Sequence, residues 1–446
     1  MTRHIWIAAF FIVSCNKIID TAAIDNPNGI DVSKVVNNAT IGELSNLATG
    51  TLSAMRTGYN TNPGNGTSSY ESYCKVAGTL GREVYVINQS ETRWINELAG
   101  LNGVLDPGAF YNGYYFSFSN ARQTAALLQY AALHTGAADD QQRNGVLGFT
   151  NTVMAFEMLH ILNMQGRNGI RLQLDNYLQP GPFVSYEEGL AGLHKMLDSA
   201  SMQLQRAGNS FFFPFPSGFA GFDTPSGFLL FNRAIAARID IYQQHWQAAL
   251  DDLGLSFFSI DGDLSQGPAF DWGLSPDVLN PLYQKPGNTV SVVANNSFAA
   301  EAEKGDARLV KILKRASALN LAGVSGAYDV NLYPTNLTPL SVIRNEELVL
   351  IYAEAKIQLG EFAEAVRALN LVRTKSGKLP QYSGEMTQDA LIGELLRQRR
   401  YSLFYEGHRW IDMRRYRRLD SLPIDQPGQT IFDAMPRPLA EVNWGK

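Results

Sequence analysis

Cysteine is almost absent from this chain. Two in 446 residues, Cys15 and Cys74, exclude a disulfide framework and a thiolate metal cluster. Histidine is nearly as sparse: the six, at positions 4, 134, 160, 194, 245 and 408, nowhere fall at the paired helical spacing that binds zinc in a metalloprotease. No glycine-rich phosphate loop and no serine nucleophile elbow occurs. Asp261-Gly262-Asp263 opens like a calcium loop, but Trp272 stands where the bidentate glutamate belongs. The expectation is therefore no metal, no cofactor and no catalytic residue. An excess of basic charge is missing as well, since the formal net charge is −5. A phosphate-binding surface needs an unpaired basic field, so nucleic acid is not an expected partner. Long apolar runs are also lacking. The clearest, residues 5–13, falls short of the roughly 20 apolar residues a membrane span requires.

What that short run does suggest is processing. Arg3 and His4 precede it and Ser14-Cys15 closes it, so residues 1–14 read as a signal peptide. Ile12-Val13-Ser14-Cys15 resembles a bacterial lipobox, in which Cys15 becomes the acylated first residue of the mature protein. Residues 15–39, polar and interrupted by Asn26-Pro27-Asn28-Gly29, read as a tether. Acylation of Cys15 leaves Cys74 without a partner in the chain.

The body, 40–446, is expected to be one all-α domain, because 45% hydrophobic and 18% charged residues supply a large core and no linker divides it. Thr40 with Glu43, and Ser185 with Glu188, have the spacing of capping boxes, and Thr224-Pro225 puts a capping residue before a first-turn proline. These signals and the apolar period predict helices over 40–56, 119–134, 144–165 and 185–206. Irregular insertions are expected around 59–118, 207–223 and 256–336, with a short strand at 290–294 and a charged helix at 299–319. The loop Phe211 to Phe222 is apolar yet broken by proline and glycine, so it suits neither helix nor strand. A repeat shows at Trp246 with Ala249 and again at Phe362 with Ala365. In both, a helix stops, an aromatic marks the turn, and an alanine three places on lets the next helix approach. That is the logic of tetratricopeptide helix pairs.

Residues 397–418 are the densest feature, with eight arginines beside Glu406 and Asp412. Guanidinium forks next to carboxylates form pairs between packed helices. Gly407 is suited to the left-handed position after a helix, with a second helix restarting at Arg409. Arg399-Arg400, Phe404, Glu406-Gly407-His408-Arg409-Trp410 and Asp412 to Tyr416 resemble the signature near the C-terminus of the SusD/RagB family of outer-membrane nutrient-binding lipoproteins. Arg344-Asn345-Glu346-Glu347, Leu350 to Ala355 and Pro436-Arg437-Pro438 resemble further family segments. The resemblance implies about four tetratricopeptide-like helix pairs. It also implies a lipid-anchored protein of the outer membrane, facing outward, that holds an oligosaccharide or other nutrient for a SusC-like TonB-dependent transporter. Glu406, Gly407, Arg409 and Asp412 are then a structural cluster.

Sugars offer apolar C–H faces to flat rings, and loop aromatics with polar neighbours suit them. The candidates are Trp94, Trp272, Tyr85, Tyr114, Tyr115, Phe219, Phe222 and Tyr283, with Trp94 and Trp272 foremost. Two other readings stay open. Carboxylate pairs for glycoside hydrolysis leave no fixed spacing, so a surface glycoside hydrolase is one. A protein-binding helical-repeat adaptor is the other.

Overall fold

The computed structural model describes residues 38–57, 69–173 and 181–444. The signal peptide, Cys15 and nearly all of the tether lie outside the described residues.

Helices dominate. In chain order they are α1 (Ile41–Thr57), α2 (Ser69–Leu80), α3 (Gly113–Leu133), α4 (Asp140–Gln165), α5 (Tyr186–Leu204), α6 (Pro225–Gln243), α7 (Trp246–Gly254), α8 (Asn296–Ala300), α9 (Asn345–Gln358), α10 (Phe362–Lys375), α11 (Gln388–Ser402), α12 (Arg409–Arg415) and α13 (Leu439–Asn443). Local chemistry starts several of them. Ser185 Oγ accepts from the Glu188 amide at 3.1 Å while the Glu188 carboxylate accepts from the Ser185 amide at 2.9 Å. The Thr40 hydroxyl and Glu43 form the same reciprocal pair. Thr224 Oγ1 accepts from the Gly227 amide at 3.1 Å, just ahead of Pro225.

From α3 onward the helices stack in a row. α3 packs on α4, α4 on α5, α5 on α6, α6 on α7, α7 on α9 and α9 on α10, with α11 closing against the last two. Ala249 and Ala365, the small residues of the repeat, are fully buried where paired helices meet. α4 and α5 approach closely through glycines. A Cβ placed on Gly148 would come within 2.6 Å of Leu204. α4 is long and apolar enough to cross a bilayer by length and composition, yet 89% of its most apolar window is buried inside the molecule. It is a core helix.

Two insertions are more ordered than their sequence suggests. The aromatic stretch 70–118 contains α2, a strand β1 (Val84–Ile87) and the first turns of α3. Tyr114, Ser117, Phe118 and Ala121 are buried at helical spacing, while Phe116 points outward at 48% exposure and obscures the period. Residues 299–319 do not form a charged helix. β6 (Ile312–Leu321) turns back through Ala322 and Gly323 into β7 (Val324–Val330), both turn residues having positive φ (50° and 83°). That backbone matches the right-handed twist of a two-residue hairpin. Lys314 and Ser317 face solvent, so charge on an exposed ribbon gave the appearance of a polar helix face. Two short pairs, β2 (Ile170–Arg171) with β3 (Phe183–Val184) and β4 (Ala269–Phe270) with β8 (Leu340–Ser341), stand apart, while β1 pairs antiparallel with β5 (Ser291–Ala294), which pairs with β7, giving a four-stranded sheet in the order β1-β5-β7-β6. The strand at 290–294 is thus present, one residue shorter. The loop Phe211 to Phe222 holds only a single 3-10 turn, and its rings pack in tilted contacts on one another and on Phe149 and Phe228.

Candidate ligand-binding site

The arginine-rich segment settles into buried ion pairs. Arg399 Nε donates to Asp412 at 2.6 Å, and Arg415 joins the same carboxylate at 2.9 Å while its other contacts reach Glu354. Glu406 pairs with Arg344, and Arg238 forms a bidentate pair with Glu347 at 2.7 and 2.8 Å. Burial alone would raise the Glu347 carboxyl, but Arg238, His408 and Arg399 together outweigh it and hold the group down at about 2. Arg409 is not the cation of this cluster. Burial brings its guanidinium down to about 10, Arg400 and Glu83 act on it more strongly than Asp412, and its Nε has no hydrogen-bond partner. The cations that neutralise Glu406 and Asp412 are Arg344, Arg399 and Arg415. Gly407 has φ of 82°, and a Cβ there would overlap the Tyr73 ring.

The aromatic candidates fall into different environments. Tyr85, Tyr114 and Phe219 are fully buried and Phe222 is 5% exposed. The Tyr85 hydroxyl donates to Asp425, Tyr114 Oη accepts from Gln165 Nε2 at 2.9 Å, and Phe222 meets Phe257 edge-on. Folded this way, these four rings offer no face to a ligand. Trp272 is 7% exposed, with the Arg56 guanidinium 5.3 Å from its ring centre. One of its faces is already taken.

Trp94, 4% exposed, is as buried as Phe222 and differs in lining a cavity. β1 ends at Ile87 and the polar run Asn88 to Arg93 leads into a single π-helical turn, Trp94–Leu98, a rare geometry that recurs at functional sites. Trp94, Phe110, Arg93, Glu91, Asn88 and Gln284 line a cavity of about 330 Å³ between the end of the β1-β5 pair and this turn. Trp94 meets Phe110 edge-on at 5.0 Å, and the Arg93 guanidinium sits 4.8 Å from the Phe110 ring centre. Arg93 grips Glu91 through two hydrogen bonds of 2.8 and 2.7 Å. That contact holds the Glu91 carboxyl below its ordinary range, so it stays ionised at neutral pH. The exposed Val290 adds apolar surface at the rim. Tyr283 is half-buried next door, its carbonyl accepting from Gln284 Nε2 at 3.1 Å. Tyr115 goes elsewhere, to a cavity of about 440 Å³ between α3, α4 and α13, where Arg171 and Glu441 pair at 2.6 Å. Of the eight rings, only Trp94 is brought to the cavity near the sheet.

Phe110, Asn88, Glu91 and Gln284 were not among the sequence candidates. An apolar tetrapeptide followed at once by Asn88-Gln-Ser-Glu91 was the available signal, marking a strand that ends in a polar loop. Among the described residues, one His and carboxylate group is spaced to hold a cation, His194 with Asp240 and Asp252, and it shares no residue with this cavity.

The chain is thus a row of paired helices with a small sheet and a mixed aromatic and polar cavity at its edge. Residues 332–443 match the SusD family model. Over 98 residues the chain is 32% identical to a SusD-like protein of Formosa agariphila, a match spanning 20% of this chain and 20% of that protein. The surface glycan-binding protein A of Bacteroides uniformis superposes with a TM-score of 0.70 at 14% identity, covering 91% of this chain and 98% of that one. A SusD-like carbohydrate binding protein of Bacteroides vulgatus superposes with a TM-score of 0.61 at 15% identity, covering 84% and 83%. The C-terminal quarter thus matches the SusD family in sequence, and over most of its length the chain shares the fold of these solved structures.

Proposed function

We propose that this protein binds a glycan in the cavity beside Trp94 and delivers it to a SusC-like TonB-dependent transporter, held at the outer membrane by a lipid on Cys15. In this reading residues 1–14 are removed, 15–39 tether the body to the lipid, and 40–446 are one binding domain. The observation that carries it is the composition of the cavity wall. Phe110, Val290 and the edge of Trp94 give apolar surface for sugar C–H groups, while Arg93, Glu91, Asn88 and Gln284 give donors and acceptors for hydroxyls. Solved proteins of this fold described as carbohydrate or glycan binders support the ligand class.

The same wall favours binding over cleavage. Glycoside hydrolysis uses two carboxyl groups about 5 to 9.5 Å apart, one of them protonated. Among the described residues lining the cavity the one carboxylate is Glu91, and its pairing with Arg93 keeps it charged. The helical row would equally suit an adaptor that binds proteins, but that reading leaves the cavity without a role.

Calorimetry of the full chain against a panel of oligosaccharides tests the proposal. Each ring contact is worth roughly 1 kcal/mol, so Trp94→Ala or Phe110→Ala should weaken a bound glycan several-fold with the fold intact by circular dichroism. Unchanged affinity in the double variant would refute the site. Shorter saccharides after long incubation would overturn the assignment as a binding protein.

A further inference from the structure

Three helices of the row converge on a group of side chains that glycan binding does not use. His194 comes from α5, Asp240 from α6 and Asp252 from α7. His194 Nε2 lies 3.2 Å from Asp240 Oδ1 and 3.3 Å from Asp252 Oδ2. A single imidazole N–H cannot point at both oxygens, and Nε2 makes no hydrogen bond of good geometry to either. Asp240 is 1% exposed, and its second oxygen also has no partner. His194 offsets the Asp240 charge only when protonated, and a buried oxygen without a hydrogen bond is costly unless something else satisfies it.

The two distances from His194 Nε2 suit a cation, and all three ligand atoms lie within 4.8 Å of one another. Zinc bonded to nitrogen and oxygen at about 2.0 to 2.1 Å in tetrahedral geometry sets its ligand atoms about 3.3 Å apart. The neighbours are also those of a metal site. His194 Nδ1 contacts Asp198 Oδ2 at 3.2 Å, the carboxylate that orients a metal-binding imidazole through its other nitrogen. Arg233 bridges Asp198 at 2.9 Å and Asp252 at 3.1 Å. Three aspartates and one arginine leave two negative charges, which a divalent ion and a neutral imidazole cancel. The His194 side chain is 22% exposed, so an ion can reach the group from solvent.

We propose that His194, Asp240 and Asp252 form a binding site for a zinc-like divalent cation that ties α5, α6 and α7 together, with water in the fourth position. Calcium fits less well, because it prefers six to eight oxygen ligands and this group supplies a nitrogen and few oxygens. The site is independent of the glycan reading and survives if that reading fails.

The test is equilibrium dialysis of the EDTA-treated full chain against micromolar Zn²⁺ with elemental analysis, repeated with Co²⁺ and its visible spectrum. The wild type should retain one equivalent and give the intense cobalt bands of a tetrahedral site. Asp240→Asn, nearly isosteric, should lose both, as should Asp252→Asn if the first variant does not fold. Asp198→Ala should bind about 10 to 100 times more weakly, while His134→Ala and His245→Ala should retain the metal. No retained metal in the wild type would overturn the site and leave an ion-paired cluster. Equal retention by Asp240→Asn and Asp252→Asn, or loss in His134→Ala or His245→Ala, would overturn it in favour of surface histidine binding.

Discussion

Arg399 is 2% exposed and donates to Asp412 across the turn that joins α11 to α12, so each charge exists in the core because the other is there. Arg415 still holds Asp412 when Arg399 is lost, but loss of Asp412 strands Arg399. Asp412→Ala should therefore cost about 3 to 5 kcal/mol in denaturant unfolding, while folded protein keeps its glycan affinity. A loss below 1 kcal/mol would show that water reaches Arg399 and that the pair is not a buried one. Glu83 is the opposite case, a carboxyl buried without a hydrogen-bond partner for either oxygen. Burial pushes it up to about 8, although Arg409 pulls the other way. A group raised in the folded state stabilises fully below its unfolded value near 4.5, and that contribution is lost as pH rises through about 8. Wild type should thus lose stability relative to Glu83→Gln between about pH 4.5 and pH 8, by a few kcal/mol in all. Parallel stability curves for the two proteins across this range would show that Glu83 titrates normally.

The turn between α11 and α12 depends on Gly407 twice over, for its φ of 82° and for the Tyr73 ring that occupies the place of a Cβ. Left-handed backbone alone costs a residue with a side chain roughly 1 to 2 kcal/mol, and overlap with a core ring adds to that. Gly407→Ala should consequently lower the unfolding midpoint clearly, whereas Gly360→Ala, also at positive φ (78°) but with open space around it, should cost only the backbone part. Equal losses at the two positions would show that Tyr73 moves aside freely. Elements of this kind were legible because their signals are local: capping residues at Thr40, Ser185 and Thr224, and the aromatic and alanine pairs that open α7 and α10. The hairpin of β6 and β7 was not. Its strands carry little alternation, and an Ala-Gly turn is a weaker mark than Asn-Gly or Asp-Gly. Rings were misplaced for a related reason. Tyr85 and Phe219 sit in stretches of irregular period, and burial there is decided by partners far along the chain, such as Asp425 for Tyr85 and Phe270 for Phe219.

At the scale of the molecule, the helix row and its ion pairs were readable in 344–443, because pairing charges and small residues between helices constrains sequence strongly. The cavity was readable only at Trp94. Its remaining wall is assembled from residues as far apart as Asn88, Phe110 and Gln284, which no linear pattern joins. Delivery of a glycan to a transporter, as proposed, requires the body to stay at the membrane, and among the described residues the one helix apolar enough for a span, α4, is spent in the core. The proposal places attachment at Cys15. An acyl chain contributes about 0.8 kcal/mol per buried CH₂ and stable anchoring takes more than one chain, which a lipidated N-terminal cysteine supplies. Cys15→Ala should leave a folded protein that binds glycan with wild-type affinity in solution yet moves from the membrane to the soluble fraction of the cell. Fatty-acid labelling should disappear with it. Membrane retention and labelling that survive the substitution would mean that the chain is held by another route, and the lipid anchor at Cys15 would have to be abandoned.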